Sequence, residues 1–227
     1  MPKAICLLSG GLDSTVTLAY AIAQGYEIVP LTMRYGQRHS RELESARKVV
    51  AHYGLKKHIV IDLDLTPFHS SALTSKDVDV PMRDKVEDIG YDIPVTYVPA
   101  RNIIFLSVAA GLCESEGADH VFIGANAIDY SGYPDCRPEF FRAFEQVLAV
   151  GTKSGVMGHP VRIEHPILRL SKAEIVKLGL DLKAPLSLTW SCYQGGQKGC
   201  GRCDSCLLRL KGFHEVGIPD PIDYEVR

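Results

Sequence analysis

Four cysteines near the end of the chain are the residues most plainly equipped for chemistry. Cys192, Cys200, Cys203 and Cys206 place four thiols within fifteen residues, with two x2 intervals among them. Tetrahedral zinc takes four such ligands at about 2.3 Å, and an x2 interval turns the chain tightly enough to present two sulfurs to one ion. Gly195, Gly196, Gly199 and Gly201 supply the backbone freedom that winding needs. With all four positions filled by protein, no site is left open to a substrate, so the expected ion is one structural zinc per chain. A redox pair in one Cys-x-x-Cys and a [4Fe–4S] cluster are the competing readings. Cys6 and Cys113 fall in apolar runs and read as core, while Cys136, on a polar loop, can line a site without being a nucleophile.

A second stretch, Ser9-Gly10-Gly11-Leu12-Asp13-Ser14-Thr15, has the composition of an anion site. Glycines let the backbone come close to a phosphate, hydroxyls add donors, and a helix starting here would offer its free N–H groups and positive dipole end. No Gly-Lys-Ser/Thr follows, so it is not a Walker A loop, and the glycine spacing is not that of a dinucleotide fingerprint. The plain alternative is a glycine turn that merely starts a helix. Further on, Arg101, Arg137 and Lys172 are cations suited to carboxylate or phosphate. Asp129, Ser131 and Asp135 offer hydrogen-bond acceptors, and Tyr130 and Tyr133 offer stacking faces. These are also ordinary loop formers.

The elements that must carry these residues alternate. Apolar runs at Ala4–Leu8, Ile28–Met33, His58–Leu63 and His120–Gly124 read as buried parallel strands. Helices are expected over Asp13–Gln24, Ser40–Tyr53, Ile103–Leu112 and Pro138–Val150, the third of them apolar nearly all round and so buried on most sides. Ser171 and Glu174 form a capping box that opens another helix, with Gly179 just past its end. The Asp64–Pro99 stretch has no clean period, as befits a lid or a partly disordered segment. This pattern is a doubly wound α/β sheet, whose ligands bind beyond the carboxyl ends of the strands, where the motifs fall. We expect an α/β domain over residues 1–180 and a small metal-binding segment over 181–227 packed on it.

Ser-Gly-Gly-x-Asp-Ser resembles the signature of the PP-loop ATP pyrophosphatases, whose fold is adenine nucleotide alpha hydrolase-like. That resemblance implies that Leu8, Ser9, Gly10, Gly11, Leu12, Asp13, Ser14 and Thr15 hold ATP phosphates, that Met33 lies against adenine, and that Mg2+ accompanies the nucleotide. Tyr35 to His39, Tyr97 to Asn102, Gly124 to Asn126, Asp129 to Phe140 and Thr189 to Tyr193 narrow the likeness. With the cysteine cluster, they resemble the 7-cyano-7-deazaguanine synthase family of the queuosine pathway. The family's activity implies a ligase using ATP, ammonia from solution and 7-carboxy-7-deazaguanine. By the same resemblance, Lys172 and Arg101 are the candidate catalytic cations, Asp129, Tyr130, Ser131, Asp135 and Arg137 the candidate base site, and a homodimer the expected assembly.

Composition limits the rivals. A 24.9 kDa chain, 46% hydrophobic and 23% charged, is large enough to bury a core without disulfides. The net charge of −2 gives no footprint for long nucleic acid, which weighs against a PP-loop RNA-modifying ligase or thiolase. A non-catalytic ATP-binding zinc module would hold ATP uncleaved. No apolar run nears the ~20 residues of a membrane span, and the first residues lack the flanks of a signal peptide, so a cytoplasmic protein is expected.

Overall fold

Ala4, Cys6 and Leu8 alternate with Ile5 and Leu7, and all five are buried, because the strand they build is covered on both faces. The structure is a computed structural model and describes residues 1–37, 40–90, 92–128 and 132–225. That first strand, β1 (Lys3–Leu7), is central. Beside it lie β2 (Glu27–Arg34), β3 (Ile59–Asp62), β4 (His120–Phe122) and β5 (Arg162–Glu164), all parallel, in the order β3-β2-β1-β4-β5. α1 (Leu12–Ala23) and α2 (Arg41–His52) pack with Ala4, Cys6, Leu8 and Phe122. α3 (Arg101–Glu116) and α4 (Pro138–Gly151) pack with Ile5, Leu7, Leu31 and Val121. This is the doubly wound sheet that the strand–helix alternation implies. A short α5 (Lys153–Val156) follows α4, and α6 (Lys172–Asp181) and α7 (Asp204–Val216) lie against α1, where Val16, Ile175 and Phe213 share a core. Among the described residues no helix is long and apolar enough to cross a membrane.

Three expectations are corrected. α3 is not buried on most sides: Asn102, Leu106, Ala109, Ala110 and Cys113 form one buried stripe, whereas Ile103 is 43% exposed, because only one side of the helix meets the sheet. Gly179 does not end α6 but lies within it; a Cβ there would come within 2.9 Å of Leu186 and Val16, so it is a packing glycine. The Asp64–Pro99 stretch is neither a free lid nor shapeless. Its described residues include a 3-10 turn at Val86–Asp88 and buried Ala72, Val80 and Thr96. It is pinned to the cysteine segment by the Met82–Cys203 bridge and by Arg83, whose N–H donates to the Arg202 carbonyl and whose guanidinium pairs with Asp204.

Candidate active site and metal centre

The order of the sheet reverses between β1 and β4, and a cavity of about 290 Å³ opens beyond the carboxyl ends of these strands. Its walls come from the turn after β1, from Met33 and Tyr35 at the end of β2, and from Gly124, Ala125 and Asn126 after β4. Arg101, Lys172 and Trp190 close it.

The turn after β1 is held in shape by its own hydroxyls. The N–H of Gly11 donates to Ser9 Oγ at 3.2 Å, Ser9 Oγ lies 3.0 Å from Ser14 Oγ, and Ser14 Oγ reaches the Gly11 carbonyl at 3.2 Å. Gly10 has φ +85°, and a Cβ on it would strike the Glu42 carbonyl at 2.3 Å, so only glycine fits between the turn and α2. No side chain caps α1, which leaves its first-turn N–H groups to an incoming anion. Gly124 keeps that end open, since a Cβ there would lie 2.8 Å from the Ser14 nitrogen. Leu8, Ser9, Gly11, Leu12, Asp13 and Ser14 line the cavity, as does Met33. Gly10 and Thr15 are not on its wall; Thr15 is fully buried and its hydroxyl finds no partner among the described residues.

Three cations line the cavity, Lys172, Arg101 and Arg209, and the first two are those expected from the sequence. Lys172 is the first residue of α6, whose start is fixed by the Ser171–Glu174 capping box, and its ammonium lies 2.9 Å from both oxygens of Asp13. Gly212 of α7 makes room for the lysine stem, for a Cβ there would fall 2.6 Å from Lys172 Cγ. Arg101 opens α3 after Ala100, a left-handed residue at φ 56° whose N–H donates to the Tyr97 hydroxyl. Burial works against the Arg101 charge, yet Tyr35, Tyr133, Cys136 and Asp135 around it raise its pKa.

The expected base site is only partly gathered here. Asp129, Tyr130 and Ser131 lie outside the described residues. Asp135 is buried behind the wall: its Oδ2 accepts from the Asn102 N–H at 3.0 Å and its carbonyl from Asn102 Nδ2 at 3.0 Å, which clamps the start of α3. Arg137 caps α4 and is exposed, away from the cavity. Cys136 does line the cavity; burial pushes its thiol up to about 12, so it stands there as a neutral group. Glu42 was missed. It reads as an ordinary first-turn helix acid, but its side chain reaches the cavity, where burial pushes its carboxyl up to about 7 against the pull of Arg101. Nothing in the local sequence marks it.

The four cysteines converge. Their sulfurs all lie within 4.8 Å of one another, and Cys200 and Cys206 are 3.9 Å apart, close to the ~3.8 Å edge of a tetrahedron with 2.3 Å metal–sulfur bonds. Backbone N–H groups of Gln194 and Cys200 point at the Cys192 sulfur, and those of Arg202 and Cys203 at the Cys200 sulfur, at 3.3–3.4 Å. Such donors stabilise thiolates and orient them, so the residues fit a metal such as zinc. Trp190 joins this centre to the turn. Its N–H donates to the Gly10 carbonyl at 2.9 Å, its indole N–H to the Cys192 carbonyl at 3.0 Å, and Arg41 lies over its ring at 4.5 Å.

An uncapped, glycine-built helix start at the switch point of a parallel sheet is a doubly wound α/β fold with an anion site at its carboxyl edge. The solved structure of NMN synthetase from Francisella tularensis shares this fold at a TM-score of 0.50 and 16% identity, covering 96% of this chain and 77% of that one. The model of the family described as Queuosine biosynthesis protein QueC matches residues 3–217, and the chain belongs to that family. It is 57% identical to the 7-cyano-7-deazaguanine synthase of Picrophilus torridus, over 99% of this chain and 92% of the relative. To the protein of the same name in Acetivibrio thermocellus it is 56% identical, over all of both chains.

Proposed function

We propose that the chain is an ATP-dependent carbon–nitrogen ligase that converts 7-carboxy-7-deazaguanine and ammonia to 7-cyano-7-deazaguanine. The observation that carries this is full-length identity above one half to relatives named as that synthase, in a chain whose cavity brings an anion turn beside two cations. In this reading the turn binds the triphosphate, and Met33 lies against the adenine. Lys172 moves from Asp13 toward the phosphates, and Arg101 steadies the substrate carboxylate. The carboxylate oxygen attacks the α-phosphorus and pyrophosphate leaves. Ammonia then adds to the acyl carbon, a proton is lost, and AMP departs to leave the amide. The amide oxygen is adenylated by a second ATP, and loss of AMP and a proton gives the nitrile. The protein supplies position and charge stabilisation, with no covalent nucleophile.

Mg2+ bound with ATP would offset the charge on the phosphates. Zinc is the proposed ion of the four thiolates and is structural. Asp129, Tyr130, Ser131, Asp135 and Arg137 are the residues proposed for the base site, Asp135 through its hold on the start of α3. Residues 1–180 are the proposed ATP-binding domain and 181–227 the metal-binding segment packed on it; a homodimer in the cytoplasm is the proposed state. Mass spectrometry of a mixture of protein, ATP, ammonium and 7-carboxy-7-deazaguanine tests the reaction: the nitrile should form with about two pyrophosphates released per product, following the two activations. ATP held uncleaved in the full mixture would overturn it.

A further inference from the structure

We propose that Glu42 reads the aminopyrimidinone edge of the substrate base, its carboxylate accepting from the ring N–H and the exocyclic amino group together. This rests on the deazaguanine reading above. Among the described residues, two carboxylates reach the cavity, Asp13 and Glu42. Both oxygens of Asp13 are taken up by Lys172. Asp135 is spent on the start of α3 behind the wall. Glu42 forms no hydrogen bond or ion pair through its carboxylate within the described residues; burial opposes its charge, and Arg101 offsets this in part without closing on it, so donors from a ligand are what would hold the carboxylate ionised.

The backbone that carries Glu42 is fixed. It lies in the first turn of α2, with its carbonyl packed against Gly10 so closely that no Cβ fits between them. Trp190, Tyr35 and Phe105 line the same cavity, with Arg41 over the Trp190 ring and Tyr35 and Phe105 edge to face, so an aromatic wall stands beside Glu42. A carboxylate presents two acceptors side by side. That matches the two adjacent donors of a 2-amino-4-oxopyrimidine edge and opposes adenine, which shows one donor beside a ring-nitrogen lone pair. One residue would therefore separate the base to be modified from the base of ATP inside a shared cavity. A site that leaves a buried acceptor unpaired rejects the analogue lacking the donor far more strongly than a site that loses only a methylene.

The test is calorimetric titration of the full, metal-loaded chain with three ligands: 7-carboxy-7-deazaguanine, its analogue without the 2-amino group, and MgATP. The wild-type protein should prefer the amino-bearing ligand by about tenfold or more. Glu42→Gln should shrink that preference to within about threefold and leave MgATP affinity within about twofold. Glu42→Asp, which keeps the charge one methylene back, should retain the preference at weaker affinity and serves if the glutamine variant does not fold. An undiminished preference in Glu42→Gln would overturn the assignment. So would a preference lost in Asp129→Ala instead, or MgATP affinity falling in Glu42→Gln as far as that of the base, which would make Glu42 a nucleotide or magnesium group. Failure of the wild-type chain to bind 7-carboxy-7-deazaguanine at all would remove the proposed function itself, a result distinct from the others.

Discussion

Arg209 Nε lies 2.7 Å from Asp220 Oδ2, and Lys172 Nζ 2.9 Å from both oxygens of Asp13, yet the two pairs are built for opposite purposes. Arg209 and Asp220 are each about 1% exposed. The guanidinium also donates to Thr189 Oγ1 and the Leu186 carbonyl, and the carboxylate accepts from the Ile222 N–H and the Tyr224 hydroxyl. A planar fork with every partner in place cannot be re-aimed without stranding a buried charge. Lys172 and Asp13 are 13% and 28% exposed and face the cavity. An ammonium on a flexible stem, partly wet, can turn to an arriving phosphate at little cost. The first pair ties α7 to the residues 186–191 and the last turn of the chain; the second is poised at the anion turn.

The locked pair shares its segment with the four cysteines, so withdrawing the proposed metal attacks that side of the molecule first and reaches the poised pair only through its contacts with Gly212 and Trp190. A structural zinc site contributes ~10–16 kcal/mol of apparent binding energy in small peptides. Chelation or Cys203→Ser should therefore open the stretch from Trp190 onward to proteases and exchange, and through the Trp190–Gly10 hydrogen bond should weaken ATP binding as well. Elemental analysis should find one zinc per chain. Iron with labile sulfide, or a C-terminal segment indifferent to chelators, would refute this.

Next in size is the buried pair itself. Asp220→Ala leaves the Arg209 charge without a counterion, and breaking a buried pair from one side costs ~3–5 kcal/mol. At ~2–4 °C per kcal/mol for a chain of this length, the melting temperature should fall by roughly 10 °C. Pyrophosphate release by the fraction still folded should change far less. A shift of only a degree or two would mean that the pair is not locked in the sense argued.

Lys172→Ala should give the reverse pattern. At 13% and 28% exposure the pair lies between a surface pair, worth about 0–1 kcal/mol, and a sealed one at ~3–5 kcal/mol, so the melting temperature should move by about 5 °C, less than for Asp220→Ala. Loss of one charge-stabilising contact should lower the rate of pyrophosphate release by ~10²–10³. Raising the salt should soften the wild-type Lys172–Asp13 pair and leave Arg209–Asp220 unaffected, since screening reaches only the wet pair. If Lys172→Ala unfolds the protein as readily as Asp220→Ala does, the contrast between the pairs is lost.

What could be read beforehand follows how local the chemistry is. The anion turn and the cysteine cluster are contiguous, so their residue types and intervals carry the message without the fold. Lys172 and Arg101 stand out in the sequence as cations near the strand ends, and their role comes from the family resemblance. Glu42 and Arg209 meet the cavity only once α2 and α7 have packed, and each looks ordinary within its own stretch. Asp135 had the right type for a base acceptor, but the fold directs its oxygen to the N–H of Asn102. The apolar run of α3 suggested burial all round because hydropathy alone cannot say that just one side of a helix will meet the sheet. β5 spans three residues, Arg162–Glu164, too few to show a period.

Cys136 offers the smallest expected effect and the sharpest check on which cavity groups are reactive. Its thiol lies on the same wall as Arg101 and accepts a hydrogen bond from Asn102 Nδ2 at 3.3 Å. Its position in the cavity near Arg101 invites the idea of a covalent intermediate. The electrostatics argue otherwise: burial and then Asp135 push the thiol up to about 12, while Arg101 only partly offsets them. A group with a raised pKa stays protonated as pH rises until that value is reached, so thiolate is scarce across the neutral range. Cys136→Ala removes one weak acceptor, and the Asn102 amide keeps its bond to the Asp135 carbonyl. The cost in stability should be below about 1 kcal/mol, and nitrile formation should stay within about threefold of the wild-type rate. Its pH–rate profile should overlay that of the wild-type protein from about pH 6 to 9, because no ionisation of this thiol falls in that window. A nucleophilic Cys136 would instead take the rate down by orders of magnitude on substitution and leave a mass adduct on the wild-type chain when ammonia is withheld.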